Sequence, residues 1–511
     1  MEPLRGQPPS PDGPASPSSP PAGSRPLAWM TRDQATVSLA VLASIFVASL
    51  NQTFVGTALP TVIGELGGLD RYGWVFASFL VTSTATGPIF GRLSDVVGRR
   101  PIFMTGLVVF LAGSLVGGLV RSFDELVLAR AVQGLGVGAI IPVGQTIIGD
   151  AFDVEQRAKV QGIFSSVWGI SAIIGPVAGG VLTESLSWRW VFFANVPFAL
   201  FALLLARSVP SEPTGRRPRI DWAGAALLLV AVVSLLFALD GLAVPWTWAL
   251  AIGGGALFIL VERRAEHPML DLGLFGIPAL RAGLATLIPA GVVMFGVLSY
   301  VPAYVQGVQG GRPIDAGAVL LPLSIGWPLA SILGARYAVR RGFRPVLIAG
   351  GAALAGGSAM VALLTPETPL IVPLVGLFLV GFGLGCSTIS SLLAAQSAVE
   401  RERRGIATSL VNFLRSMGGA VGVAALGAIL TARLGPLAAD ANTLLDPIGR
   451  RDIDPDRIAA LAGPLSEGLE LVFVAMLVAG VAALVVPIVL APRGVTAVDE
   501  MGATARRAAA R

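Results

Sequence analysis

The chain of 511 residues is poor in charge and almost empty of three reactive residue types. Only 13% of residues are charged, against roughly 25% in an average soluble chain. Lys159 is the single lysine and follows Ala158. A phosphate loop needs Gly-Lys-Ser/Thr, so ATP is not bound in that way. A pyridoxal Schiff base would have to use Lys159, which stands in a charged loop. His267 and Cys386 are each alone of their kind, which excludes disulfides, structural zinc and a Cys/His nucleophile pair. His267, in Glu-His-Pro, reads as a solvated residue at a helix end. Cys386, in a Gly/Ser-rich helix, reads as a small packing residue. No cofactor or metal is expected. The net charge of +5 comes from arginines in short loops between apolar runs. That placement is a membrane-orientation signal rather than a nucleic-acid footprint.

Apolar residues make up 54% of the chain and mean hydropathy is +0.77. A soluble core could not hide that surface behind so few charges. The composition describes an all-α polytopic membrane protein. With about 20 residues per crossing, the apolar runs predict about fourteen helices. They lie near 36–59, 73–93, 101–120, 124–148, 160–183, 189–207, 221–240, 246–262, 280–306, 316–335, 344–364, 369–393, 405–430 and 468–490. Residues 1–35 begin as a Pro/Ser-rich tail that lacks the apolar centre of a signal peptide. Residues 492–511 form a second tail.

Arginine and lysine set the orientation. If the N-terminus is cytoplasmic, the loops on that side carry nineteen basic residues, from Arg92 to Arg404, and the opposite loops carry eight. The positive-inside rule then places both termini in the cytoplasm of a cell-membrane protein. The chain also repeats. Pro60 and Pro302, Gly98 and Gly342, Gly162 and Gly405, and Gly175 and Gly418 are separated by 242, 244, 243 and 243 residues. Two six-helix halves follow, 36–209 and 279–491, with 210–278 carrying an inserted central helix pair and 431–467 a long loop opposite the termini. Pseudo-symmetric halves with a site between them are the architecture of secondary transporters.

Three motifs stand out. Gly91-Arg92-Leu-Ser-Asp95-Val-Val-Gly98-Arg99-Arg100 joins two apolar helices. Gly98 suits a tight turn, Asp95 a cap or an ion pair, and the arginines an anchor at the headgroups. In the second half Arg336, Gly342 and Arg344 persist, and Val339 stands at the Asp position. Arg130-x-x-Gln133-Gly134-x-Gly136-x-Gly138 places an arginine inside an apolar helix, where charge is expensive and usually functional; the alternative is a purely structural pair. Gly175-Pro176-x-x-Gly179-Gly180 puts a smooth face and a bend in the fifth helix, either a hinge or simple tight packing.

Together these motifs resemble the major facilitator superfamily. The Gly175-Pro176 motif and the extra central pair resemble its fourteen-helix drug:proton antiporter branch, the EmrB/QacA type. Leu50–Pro60, Trp188–Pro197 and Arg415–Ala424 are similar to that branch as well. The resemblance covers about 35–490. It implies alternating access of two six-helix halves around a central cavity, with a small amphipathic substrate, export driven by protons and no enzymatic activity. It implies that Asp95 and Arg99 stabilise one state and that Gly175 and Pro176 act as a hinge or seal.

One residue departs from the pattern. The branch usually carries an aspartate, the expected proton carrier, where this chain has Asn51, and an amide does not titrate. Asp240, Glu65, Glu184, Asp315 and Asp150 all fall near helix ends. Arg130 and Arg415 lie within apolar helices, which disfavours lipophilic cations and suits neutral or anionic solutes. The candidate cavity residues are Asn51, Gln52, Trp168, Tyr300, Tyr304, Gln306 and Asn412. Three readings result: a proton-driven exporter of drug-like amphipaths, a lipid or anionic-metabolite exporter with altered or absent proton coupling, and a membrane-embedded enzyme or receptor. The third finds no nucleophile, metal cluster or soluble ligand domain.

Overall fold

The computed structural model describes residues 30–152, 154–210, 221–239, 245–265, 270, 272–365, 368–399, 404–446, 450 and 454–492. Residues 1–29, the linker 211–220 with Arg216, Arg217 and Arg219, Asp240, His267, Arg401, Arg403 and the tail 493–511 lie outside them.

Among the described residues there are helices and no strands. The first half comprises α1 (Arg32–Leu66), α2 (Trp74–Val97), α3 (Arg99–Leu119), α4 (Phe123–Ala151), α5 (Val154–Ser185) and a sixth crossing broken into α6 (Trp190–Phe193) and α7 (Asn195–Ala206). The inserted pair is α8 (Trp222–Leu239) and α9 (Pro245–Arg264). The second half comprises α10 (Pro278–Ala303), α11 (Pro313–Val319) leading into α12 (Leu321–Arg341), α13 (Phe343–Ala362), α14 (Ile371–Ser397), α15 (Arg404–Leu434), the short α16 (Ala438–Ala441) and α17 (Pro455–Leu490). Among the described residues thirteen helices are long and apolar enough to cross a membrane, and Trp190–Ala206 is a shorter apolar one. The fourteen expected crossings are therefore all helical.

The ends follow local chemistry. Thr31 and Gln34 form a capping box at the start of α1, and Ser122 caps α4 ahead of Asp124 and Glu125. Such caps satisfy amides that have no partner within the helix. Gly98 and Gly342 occupy matching turns with φ of 107° and 86°, a region costly for a side-chain-bearing residue. The expected loop 431–467 is much shorter than its sequence suggested. The helix before it runs to Leu434 and α17 starts at Pro455, with α16 and two turns of 3-10 helix, Gly435–Leu437 and Asn442–Leu445, between them. Asp454 caps the added turns of α17 and Pro455 opens them, a favourable first position for proline.

Within the first half α2 packs on α3 and α4, and α1 on α4, α5 and α7. In the second half α13 packs on α14 and α17, α12 on α14, and α10 on α15 and α17. The halves meet along α1 with α10, α2 with α15, and α5 with α11 and α12. The inserted helix α8 touches both α2 and α15, and Phe237 meets Trp74 edge-on with ring centroids 4.7 Å apart. The pair thus lies against one of the seams between the halves.

Two arginines repeat one task. Arg100 donates to the carbonyl of Arg207, just past α7, at 3.3 Å. Arg344 donates to the carbonyls of Ala491 and Ile488, at the end of α17, at 3.2 and 3.3 Å. Each fastens the last crossing of its half, whose final carbonyls have no partner within the helix.

Candidate functional site

The side on which α1 begins is here the near side, and the side on which it ends the far side. The Gly91–Arg100 motif lies on the near side. Asp95 pairs with Arg99, which also donates to Ser94 Oγ at 2.7 Å and pairs with Asp150 at 3.1 Å. Of the two roles considered for Asp95, the structure shows the ion pair, and Gly98 occupies the N-cap of α3. Arg100 turns away to Arg207. Arg92 has an interaction of its own. Nothing would meet a Cβ on Gly91 within 4 Å. In the second half Val339 is 61% exposed, so the copy keeps its arginines without an ion-pair acceptor at that position.

The intramembrane arginine sits in a closed polar cluster. Arg130, Gln133, Asn51 and Ser114 are each 0% exposed. Arg130 donates from Nη1 to Asn51 Oδ1 at 2.5 Å and to Gln133 Oε1 at 2.8 Å, and from Nε to the Val75 carbonyl at 3.2 Å. Gln133 Nε2 then donates to Ser114 Oγ at 2.8 Å. The Phe79 ring covers one face of the guanidinium at 4.2 Å, a contact worth about 2 kcal/mol when desolvated. Every one of these partners is electrically neutral. Arg130 Nη2 and Asn51 Nδ2 have no hydrogen-bond partner. Gly134 and Gly138 let α4 approach Thr82, Thr86 and the backbone of α2, while Gly136 faces Phe110 and Gly106 of α3. The second half has no copy of this cluster, for α14 carries no charged residue.

The Gly175-Pro176 motif is a three-helix joint. A Cβ on Gly175 would strike Thr53 of α1, and one on Gly179 would strike Thr57 and Phe54. Gly180 faces the backbone of Pro313 and Ile314, and Gly317 of α11 packs on the Pro176 carbonyl. Helix α5 is therefore wedged between α1 of its own half and α11 of the other.

The seven expected cavity residues do not form one surface. Tyr300, Tyr304 and Gln306 are 0%, 1% and 2% exposed. They belong to the far-side seam, because the halves are closed together there. Gln306 donates to the Thr57 carbonyl at 3.0 Å and accepts from Thr61 at 2.9 Å. Tyr72 donates to the Ser299 carbonyl at 2.8 Å, Leu69 N to Asn442 Oδ1 at 3.1 Å and Thr431 to the Asp70 carbonyl at 2.9 Å. Arg312 bridges Glu184 of the first half, at 3.3 Å, and Asp315. Those two carboxylates, the hydrogen-bonded Asp315 above all, raise the Arg312 pKa above its ordinary value. Glu65 is held by Trp188 Nε1 at 2.7 Å and by Arg189 at 2.8 Å. Asn51 belongs to the closed cluster around Arg130.

That leaves a smaller central group. Asn412 is exposed and Gln52, Trp168 and Arg415 are half-buried. Arg415 donates to Asn412 Oδ1 at 3.1 Å and lies over the Trp327 ring at 5.5 Å. Its Nε has no hydrogen-bond partner. Trp327 is followed by Pro328, which lies 3.7 Å from a Cβ built on Gly169, next to Trp168. Arg415 of α15 and Trp327 of α12 thus stand together, and α12 meets α5 of the other half at Pro328 and Gly169.

Sequence reasoning missed Arg450. Its Nη1 donates to the carbonyls of Gln306 and Gly307 at 2.9 and 2.8 Å and to that of Leu444 at 3.3 Å. The first two belong to Tyr304–Val308, a widened π-helical turn just beyond Pro302. Burial lowers the Arg450 pKa from its ordinary value. The proline was the only signal available, and it did not name the partner.

Residues 41–423 match the family model of the Major Facilitator Superfamily. The chain is 34% identical over 410 residues to the multidrug transporter protein MdtP of Bacillus subtilis, covering 78% of this chain and 76% of that one. It is 33% identical over 419 residues to the puromycin resistance protein pur8 of Streptomyces alboniger, covering 79% and 83%. In structure it resembles an inward-facing, unoccupied bacterial homologue of the human lysosomal transporter Spinster, with a TM-score of 0.64 at 15% identity over 90% of this chain and 98% of that one. It also resembles a D-xylose-proton symporter, with a TM-score of 0.62 at 15% identity over 90% and 99%. With this fold and a match across most of its helices, the chain is a multi-pass membrane protein that belongs to the Major Facilitator Superfamily.

Proposed function

We propose that this protein exports drug-like amphipathic compounds across the cell membrane by alternating access of its two halves, with both termini in the cytoplasm. The observation that carries this reading is the likeness, across more than three-quarters of each chain, to MdtP of Bacillus subtilis and to a second Bacillus relative named multidrug resistance protein 3. The inserted pair α8 and α9 supports a place in the fourteen-helix antiporter branch. The chain moves small molecules and carries out no catalysis.

The near side is then cytoplasmic and the far-side seam is the closed extracellular gate. Gly91, Arg92, Asp95, Gly98, Arg99 and Arg100 set the near-side geometry. The Gly175, Pro176, Gly179 and Gly180 joint is where α5 shifts between α1 and α11. The segment between α15 and α17 spans both halves on the far side and must release when the gate opens. The boundaries 36–209, 210–278 and 279–491 separate the moving parts.

Proton coupling needs a titrating group, and Asn51 is not one. The far-side carboxylates Glu184 and Asp315, both on Arg312, are the remaining candidates that join the halves. A second reading rests on Arg415. It is a central cation whose partners are an amide and an indole, and such a surface favours neutral and anionic amphipaths over lipophilic cations.

The test is efflux from a bacterium deficient in its own exporters. Cells are loaded with ethidium or with an anionic dye, with and without a protonophore. Ethidium export that collapses with the protonophore supports the first reading. Export of the anionic dye alone supports the second. Export of neither, with the protein present in the membrane, overturns both.

A further inference from the structure

We propose that a groove between α10 and α15 seats one acyl chain of an anionic phospholipid from the near-side leaflet, with Arg281 as the anchor of its headgroup. The groove is built by glycine. A Cβ on Gly418 would strike the backbone of Ile288, and one on Gly422 would strike Val292. Small residues let the two helices approach closely there. The longer side chains beside the crossing stand up as walls, Ile288 and Val292 on α10 and Met417 and Val421 on α15, and Ala475 of α17 closes the far end. They enclose a cavity of about 410 Å³, within the size range of small-molecule sites. Every residue that lines it is apolar or glycine, so the part of a ligand seated there is hydrocarbon.

The groove opens outward, to the bilayer. On α15, Val423 and Ala424 meet Gly73 of the first half, and Arg415 reaches Trp327. Met417, Val421 and Ala425 follow a different line of the same helix and are half-buried. On α17, Ala475 stands among Leu471, Val474 and Val478, which are 46%, 47% and 66% exposed. Those side chains project from a helix long and apolar enough to cross a membrane.

The α10 wall leads to a cation. From Ala282 to the end of α10 at Ala303, every residue is buried except Ala285, Ile288, Pro289 and Val292. Arg281, Ala285, Ile288 and Val292 recur at helical spacing, so they share one face, and the open strip runs back from the groove to Arg281. That arginine is exposed and has no ion-pair partner among the described residues. From Arg281 to Val292 the helix rises about 16 Å, close to half of the roughly 30 Å hydrocarbon core. A phospholipid with its phosphate at Arg281 therefore has a chain at the depth of the groove, and the near-side leaflet presents both in that order. Charge complementarity at Arg281 favours an anionic headgroup over a zwitterionic one. A free anion would match the arginine and leave the groove unfilled.

The experiment uses the purified full chain in a neutral detergent. Palmitoyl-oleoyl phosphatidylglycerol, the phosphatidylcholine with the same chains, and inorganic phosphate are titrated separately while melting is followed. Phosphatidylglycerol is expected to raise the melting temperature by about 3 °C or more beyond the phosphatidylcholine, as ligand linkage requires, and phosphate to leave it unchanged. Arg281→Ala is expected to raise the half-saturating phosphatidylglycerol about fivefold, the order that one basic residue contributes at a membrane surface. Arg263→Ala removes another exposed near-side arginine, in the last turn of α9, and is expected to leave half-saturation where it was. Ala425→Phe puts a ring into the groove and is expected to abolish the gain. Equal gains from the two lipids overturn the proposal, and a gain from phosphate alone overturns it in favour of a free-anion site. So does an unchanged half-saturation in Arg281→Ala or an undiminished gain in Ala425→Phe. If Ala425→Phe does not fold, Arg281→Ala, on the exposed strip, decides alone. No exported compound enters this measurement, so its outcome is independent of the export reading.

Discussion

Gly56 and Leu298 meet where α1 crosses α10: a Cβ on Gly56 would lie 2.8 Å from the Leu298 carbonyl oxygen. The two residues are 242 apart, and each stands four residues before a proline, Pro60 and Pro302. A helical proline has no N–H for the carbonyl four residues back. The crossing point of the halves is therefore set on both helices by the same device. Gly56→Ala forces a Cβ against backbone, which cannot rotate away, and overpacking of this kind costs about 1–3 kcal/mol. Gly56→Ala is expected to lower the melting temperature and reduce export. Gly91→Ala, where nothing lies within 4 Å, leaves the melting temperature unchanged. Thermal denaturation of the two purified variants decides the point, and equal melting would remove the crossing from the account.

The joint around α5 allows a sharper distinction. At Gly175 the obstacle to a Cβ is the side chain of Thr53, its hydroxyl and also its Cβ at 2.6 Å, whereas at Gly180 it is the backbone of Pro313 and Ile314. A side chain can be trimmed and a backbone cannot. Gly175→Ala is expected to impair export about tenfold, and Thr53→Gly in the same chain to restore most of it, a coupling typical of residues in contact. Gly180→Ala is expected to impair export with no rescue by Thr53→Gly. Dye efflux from cells with matched membrane levels reads all four chains. Equal rescue at both glycines would show that the two contacts are not separate.

The Glu184–Arg312 pair joins the halves at the far side across 3.3 Å. Export by alternating access requires that distance to open. In a chain whose buried Cys386 is replaced by alanine, Glu184→Cys with Arg312→Cys is expected to cross-link through a short thiol-reactive linker. Export should then fall to background and return when a reducible linker is cleaved. Cross-linked protein that still exports would mean that this seam stays closed throughout the cycle.

Much of the fold was legible because one physical signal dominates a membrane chain. Runs such as 101–120 and 344–364 are apolar over a bilayer's width, and little else can be done with them. Glycines at a constant offset, such as Gly98 and Gly342, showed the repeat because a positive φ tolerates few alternatives. The start of α17 was not legible. Gly463-Pro464 makes Pro455–Ser466 read as loop, and its helicity comes from the Asp454 cap and from packing. The site was only half readable. Asn51 and Arg130 could each be singled out, one by its departure from the branch that the chain resembles and the other as a charge inside an apolar helix. The partition of the expected cavity could not, because it depends on which end of the two halves is closed. Tyr300 and Gln306 carry the same side chains whether they line a cavity or seal a gate. Arg450 is one arginine among several in a polar segment, and its role rests on two carbonyls of a widened turn.

Arg415 gives the charge preference of the central group a direct test. Its guanidinium stands over Trp327 at 5.5 Å beside the exposed Asn412, and it lies well inside α15, so its charge is poorly screened. An anionic amphipath there gains an ion pair, and a lipophilic cation meets repulsion. Arg415→Gln removes both effects and Arg415→Glu reverses them. The ratio of ethidium export to anionic-dye export is expected to rise about tenfold in Arg415→Gln, the equivalent of about 1.4 kcal/mol of discrimination, and further in Arg415→Glu. A purely structural arginine would lower both rates together and leave the ratio where it was. The ratio therefore separates a binding charge from a packing one even when each variant loses total activity. A constant ratio across the three chains would remove Arg415 from the substrate surface.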